Sequence, residues 1–268
     1  MPQIFLGTSG YSYKDWIGPF YPQGMNPLKF LSYYAQFFPF VELNYSYYRQ
    51  PDPLLTEKFI AQTPPHFLFS IKAHQSLTHQ VTTNWQKEAA RFKTGVAQLA
   101  RQNRIAAVLL QFPFSFHYTR ENRVYLGNLC TELHNLPLVV EFRNREWQNE
   151  NVYGEMKERL LGLAVVDTPP LKGLPIPKTV ATANISYIRF HGRNARNWWT
   201  GDNTTRYDYL YSVEELEEWI PPLLDLSQKA RLLLLVFNNH FKGQAVTNAF
   251  QMKKLLQEKC NLSSDNII

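Results

Sequence analysis

The sequence predicts a closed (β/α)8 barrel, and three observations carry that prediction. Eight short apolar runs recur along the 268 residues. Most of the intervals between them show helical spacing of apolar residues. Each run ends in polar or charged residues, as the C-terminal rim of a barrel would. Continuous apolar runs of this kind fit strands buried on both faces, the condition of a parallel sheet. An open doubly wound sheet is the rival. It would place a Gly-rich phosphate fingerprint after its first strand, and "GTSGYSY" (7–13) supplies no GxGxxG.

The first run, "IFLGTSG" (4–10), ends in Thr8 and Ser9. "NPLKFLSYYAQFF" follows with helical spacing, and then "FVELN" (40–44) carries Glu42 and Asn44. "FLFSIKAH" (67–74) ends in Lys72 and His74. "NWQKEAARFKTGVAQLARQ" is the clearest amphipathic helix, with Lys87, Glu88, Arg91 and Lys93 as polar residues. "IAAVLLQF" (105–112) brings Gln111, and "RENRVYLGNLCTELHNL" reads as the next helix. "LVVEFRN" (138–144) brings Glu141 and Arg143, and "GLAVVDT" (162–168) brings Asp167. The Pro-rich crossover "PPLKGLPIPKTVATAN" reads as a loop or degenerate helix. "ISYIRFHG" (185–192) ends in Arg189 and His191. "SVEELEEWIPPLL" opens with Ser212 and Glu215 spaced as a capping box. "RLLLLVFNN" (231–239) ends in Asn238 and Asn239, and "QAVTNAFQMKKLLQEK" is the last helix. No fixed-period repeat or linker interrupts residues 1–268, so a single domain is expected.

Composition narrows the class. Charged residues make up 19% and hydrophobic residues 44%, which fits a folded chain and not a disordered one. The net charge of +6 permits an anionic partner without requiring one. Cys130 and Cys260 are far apart and belong to no CxxC or Cys/His cluster, so a reduced, cytoplasmic setting is expected. The N-terminus lacks a signal-peptide pattern, and no apolar run approaches the roughly 18 residues of a membrane span.

Residues two apart on a strand share a face. Glu42/Asn44, Lys72/His74, Glu141/Arg143 and Arg189/His191 should therefore point the same way, into one mouth. The candidate catalytic groups are Glu42, Lys72, Glu141, Asp167 and His191. Glu141 or Asp167 would do acid/base work, Lys72, Arg143 and Arg189 would stabilise negative charge, and His191 would pass a proton. The competing account is an ion-pair network that seals the barrel top. Glu42, Glu141, Asp167 and His191 could also ligate a divalent ion, as in sugar-isomerase and apurinic-endonuclease barrels, but no HxH, HxxxH or HxxE pattern marks such a site and no metal ligand is assigned.

The motifs "GTSGYSYKDWIGPFYP", "VELNYSYYR", "FSIKAHQSLTH", "LLQFP", "VEFRNREW", "VVDTP", "YIRFHGR" and "FNNHFKGQAVTNA" together resemble the YecE-like family. This is a widespread, mainly prokaryotic family of unknown function with a TIM-barrel fold. The resemblance runs from about Gly7 to Leu255. It implies the barrel and says little about chemistry. This chain has Ser46-Tyr47 where the family tends to have Thr-Phe, and Glu146 before Trp147 where it tends to have Ser. Both departures leave the charged strand ends intact.

Two segments point to a ligand. "RFHGRNARNWWTGDNTTRYDYLYS" (189–212) sets Arg189, Arg193, Arg196 and Arg206 among aromatic residues that include Trp198. Arginine forks match phosphate geometry and aromatic rings stack bases or sugars. "FNNHFKGQAVTNA" (237–249) ends the eighth strand at the usual phosphate corner of this fold. Phosphate is expected there against Arg189 or Arg193 and an amide near Gly243, with Asn238 and Asn239 as donors. Asn44 and Arg143 complete the ligand-binding candidates. The expected function is an enzyme acting on a phosphorylated or otherwise anionic ligand, by phosphoester hydrolysis or sugar-phosphate chemistry. The alternatives are a non-catalytic nucleic-acid-binding protein that uses the basic, aromatic loop, and a small-molecule-binding barrel without turnover.

Overall fold

The computed structural model describes residues 3–202 and 204–259; Cys260 lies outside them. Eight strands stand where the apolar runs are: β1 Gln3–Thr8, β2 Phe40–Leu43, β3 Leu68–Lys72, β4 Ile105–Gln111, β5 Leu138–Glu141, β6 Gly162–Asp167, β7 Ile185–Phe190 and β8 Leu232–Phe237. All pairings are parallel, in the order β1-β8-β7-β6-β5-β4-β3-β2. The sheet closes between β1 and β2, giving the (β/α)8 TIM barrel.

That last seam is built differently from the others. The Gly10 amide donates to the Glu42 carbonyl at 2.8 Å. Lower down, the buried Tyr34 hydroxyl stands between the strands, accepting from the Thr8 amide at 2.9 Å and donating to the Phe40 carbonyl at 3.1 Å. Gly7 permits the approach, because a Cβ there would sit 2.3 Å from the Phe40 carbonyl oxygen.

The helices are α1 Phe30–Tyr34, α2 Tyr45–Tyr48, α3 Pro53–Ala61, α4 Trp85–Arg101, α5 Arg120–Glu132, α6 Glu150–Glu158, α7 Val213–Glu217, α8 Ile220–Lys229 and α9 Gln244–Lys259. On α4, Ala89, Phe92, Val96 and Leu99 are buried at the spacing that keeps one face on the sheet. Ser212 and Glu215 form the expected capping box on α7. Residues 168–184, the Pro-rich crossover, contain no helix. The sequence reading named neither α3 nor α6. Both are nine residues long and start from Asx caps, with Asp52 accepting from the Leu54 amide and Asn149 from the Val152 amide.

Inside the barrel, side chains sort by height. Phe5, Phe40, Val139, Tyr187, Leu234 and Val236 belong to one interior cluster. Two residues further along these strands the inward positions turn polar: Glu42, Glu141, Arg189 and Asn238. The apolar plug below fixes the depth at which the charges stand.

Candidate functional site

Arg189 is the centre of the floor. It is buried, with one terminal nitrogen 2.7 Å from Glu141 Oε2 and the other 2.6 Å from Glu42 Oε1. Those contacts tie β7 to β5 on one side and to β2 on the other. Glu42 is otherwise satisfied by the Ser9 hydroxyl at 2.5 Å and by the Tyr187 hydroxyl at 2.8 Å. Ser70 Oγ lies 2.9 Å from the Tyr187 oxygen, so Tyr187 donates to the carboxylate and accepts from Ser70. Asn44 donates to Ser9 Oγ at 2.6 Å, one layer above.

Glu141 receives the Arg143 Nε proton as well. Burial alone would raise the Glu141 carboxyl, but Arg189 and Arg143 overcome that and hold it well below the usual carboxylate range. His191 is buried beside it, with Nε2 3.5 Å from Glu141 Oε1. Burial, with Arg143 and Arg189 nearby, pushes the His191 imidazole well below its ordinary value, so the ring is neutral. Asn238 Nδ2 lies 2.8 Å from His191 Nδ1, which makes that nitrogen the acceptor and places the ring proton on Nε2, facing Glu141.

Lys72 differs from its neighbours. Among the described residues no carboxylate or hydrogen bond holds its amine, which lies 4.3 Å from the Tyr47 ring centroid. Burial, then Arg189 and Arg143, pull its pKa down to about 7, against smaller opposing effects of Glu141 and Glu42. Above the floor two hollows adjoin. One of about 280 Å³ is lined by Asn44, Lys72, Arg143, Arg189 and Asn238, with Tyr13, Tyr48 and Tyr207 among its walls. The other, of about 470 Å³, shares Lys72, Arg143 and Tyr207 and adds His79, Gln111, Phe114, Trp198, Trp199 and Arg206. Among the described residues neither lining includes an Asp or Glu.

The structure brings Glu42, Asn44, Lys72, Glu141, Arg143, Arg189, His191 and Asn238 to one end of the barrel, and Trp198 to its wall. It separates the other four. Val166 pairs in register with Arg189, so Val166 faces inward and Asp167 faces the helices. There Asp167 accepts from Arg193 at 2.8 Å and from the Trp219 indole at 2.8 Å, and Arg193 also reaches Glu218 at 3.0 Å. Asp167 therefore stands apart from the central carboxylates. Among the described residues no three His, Cys, Asp or Glu side chains gather as metal ligands. Asn239, one position past the inward Asn238, turns outward and donates to Asn248 Oδ1 and the Tyr209 carbonyl.

The expected phosphate corner is also filled by the chain itself. Arg189 is held by two carboxylates and Arg193 by Asp167. The Gly243 amide donates to the His240 carbonyl at 3.3 Å. The neighbouring Lys242 amide donates to Asp15 Oδ2 at 2.7 Å, so an internal carboxylate takes the place an external anion would have had. Among groups the sequence reading did not assign to the site, Ser70 and Tyr187 lie two residues below Lys72 and Arg189. Extending the period-two pattern one step would have found both. Tyr47 and Tyr48 come from a one-turn helix that the strand pattern does not foretell.

The fold has counterparts among solved structures. A crystal structure of a DUF72 family protein from Thermotoga maritima superposes with a TM-score of 0.86 at 37% identity, covering 95% of this chain and 99% of that one. Another from Enterococcus faecalis gives 0.85 at 29% identity, covering 98% and 97%. The UPF0759 protein YunF of Bacillus subtilis is 33% identical over 269 residues, 94% of each chain. The family model described as "Protein of unknown function DUF72" matches residues 5–266. With that match spanning nearly all of the sequence and agreeing with both the relatives and the barrel, the chain belongs to the DUF72 family.

Proposed function

We propose that the barrel mouth binds a phosphorylated or otherwise anionic small molecule and acts on it by proton transfer. One observation carries this reading: the adjoining hollows are lined by Lys72, Arg143, Arg189 and Arg206 and, among the described residues, by no carboxylate. Glu42 and Glu141 lie beneath, where they pair with Arg189 and Glu141 also pairs with Arg143 Nε, leaving Lys72, Arg206 and the terminal nitrogens of Arg143 facing the hollow. Only Nε of Arg143 is hydrogen-bonded among the described residues, so its terminal nitrogens are available to an anion. Asn44 and Asn238 add neutral polar contacts, and the tyrosines offer faces to a ring or sugar.

The acid/base role falls to Lys72. Glu141 is held as a carboxylate by two guanidiniums, whereas an amine with a pKa of about 7 populates both forms near neutrality. His191 stands beside Glu141 as a neutral ring. Isothermal titration with inorganic phosphate and a panel of phosphosugars tests the reading. Affinity should drop about tenfold or more in Arg143→Met, through loss of a charged hydrogen-bond partner, and stay unchanged in the exposed control Lys29→Met. Equal affinity in the two variants would refute the proposed site.

A further inference from the structure

We propose that Lys72 is an amine that captures carbonyl compounds, forming an imine with an anionic aldehyde or ketone bound in the mouth; this rests on the anion-binding reading above. Among the described residues the Lys72 amine has no ionic or hydrogen-bonded partner. Glu42 and Glu141 are the nearest acids, yet their oxygens are taken by Ser9, Tyr187, Arg189 and Arg143. An amine placed there only to balance charge would be paired with one of them. Instead it borders both hollows and lies against the Tyr47 ring. An unpaired amine that opens into a cavity beside two guanidiniums is the arrangement that favours a neutral, nucleophilic lysine.

Every element packed around the amine contributes to its balance. Glu141 faces it from β5 and Arg143 from just past its end, Arg189 from β7, Glu42 from β2 and Tyr47 from α2, while His79 borders the same hollow from the segment after β3. The cations favour the free base and the two acids oppose it. Its pKa of about 7 agrees with that geometry. His79, itself lowered to about 4 by burial and by Lys72 and Arg143, is a neutral base within the same hollow.

The chemistry balances without an outside oxidant or reductant. The free-base Nζ attacks the carbonyl carbon, and the C=O π pair moves to oxygen, which takes a proton. The nitrogen loses a proton, and the resulting carbinolamine expels water to leave C=N. Arg143 and Arg206 border the cavity where the anionic end of the ligand would lie. A protonated imine nitrogen would then withdraw electrons from the adjacent carbon, which is the purpose of such an adduct.

Pyridoxal 5′-phosphate is a suitable probe, since it joins an aldehyde to a phosphate. The full-length protein would be incubated with it, reduced with borohydride, which delivers hydride to C=N and fixes a secondary amine, and mapped by peptide mass spectrometry. Lys72 should be labelled at least about tenfold faster than the exposed Lys29, because near neutrality far more of it is free base. Its labelling should rise as pH passes through about 7. Lys72→Arg should abolish that modification, and binding of pyridoxine 5′-phosphate, in which an alcohol replaces the aldehyde, to the unaltered protein reports the anion site separately. Labelling of Lys72 no faster than Lys29 overturns the proposal. If pyridoxine 5′-phosphate binds in that case, the anion site survives and only the imine fails. If it does not bind either, both readings fall.

Discussion

At the scale of single residues, Arg189 and Lys72 show how one cluster of charges divides its labour. Arg189 is satisfied at both terminal nitrogens by acids from β2 and β5, so it acts as a strut. Among the described residues Lys72 has no such partner, and its amine opposes folding while it is charged. The sign follows from its lowered pKa. Between about 7, the folded value, and the ordinary ~10.4 the unfolded chain binds a proton that the folded chain does not. Stability should therefore rise with pH across that window. Below it the cost of Lys72 is fully present. Lys72→Met should stabilise the protein at neutral pH by on the order of 2 kcal/mol, allowing for the water that reaches the amine. That advantage should shrink as pH approaches ~10. Denaturant melts of both proteins across this range check it; a gap that does not depend on pH would rule it out.

At the scale of elements, the β1–β2 seam is the place where the barrel depends on a side chain. Seven neighbouring strand pairs are joined by parallel ladders, while the eighth junction uses the Tyr34 hydroxyl between the Thr8 amide and the Phe40 carbonyl. Tyr34→Phe removes one atom and leaves both backbone groups buried without that partner. A loss of about 2–3 kcal/mol is expected, together with faster hydrogen exchange at Thr8. Among the described residues the Tyr33 hydroxyl, on the same short helix, makes no comparable bond, so Tyr33→Phe should melt like the parent. If both variants melt alike, the hydroxyl does not hold the seam. The Asp167–Arg193–Glu218 cluster plays a similar part on the outer side, fastening the start of the long loop after β7 to the end of β6 and to the Glu218–Trp219 link between α7 and α8.

At the scale of the whole molecule, charges from several strands meet in one buried layer, so acid should act on the barrel as a unit. His191 has a folded value well below its ordinary one, and Glu141 lies well below the usual carboxylate range. Both lowered values mean that the unfolded state takes up protons first. The share of stability due to these two groups should be complete above about 6.5, decline as His191 protonates in the unfolded chain, and fall again below about 4.3. His191→Gln should make the first decline shallower, leaving the part that His79 contributes, and should leave the second. Urea midpoints measured across acidic pH test this, and an unchanged slope between about 6.5 and 5 in the variant would contradict it. Among the described residues no helix is long and apolar enough to cross a membrane.

The eight strands, their parallel pairing and the convergence of Glu42, Lys72, Glu141, Arg143, Arg189 and His191 were legible in the sequence. Both signals are local: a run buried on two faces is apolar throughout, and a period of two assigns neighbours to one face. The short helices α3 and α6 escaped because nine residues give few turns over which apolar spacing can accumulate. Which charges are paired was not legible, because pairing depends on register and height across strands far apart in the chain. Asp167 ends an apolar run as Glu141 does, yet one residue of phase sends it through the wall to Arg193 and Trp219. Gly243 opens a helix suited to an anion, yet Asp15, 227 positions from Lys242, already contacts that corner through the Lys242 amide. The sequence by itself determined the barrel and the chemistry available at its rim. Only the tertiary structure decided that the acids are consumed by Arg189 and Arg143 and that the lysine is left open, because charge in a buried layer is settled by distances of a few ångströms that no one-dimensional pattern contains.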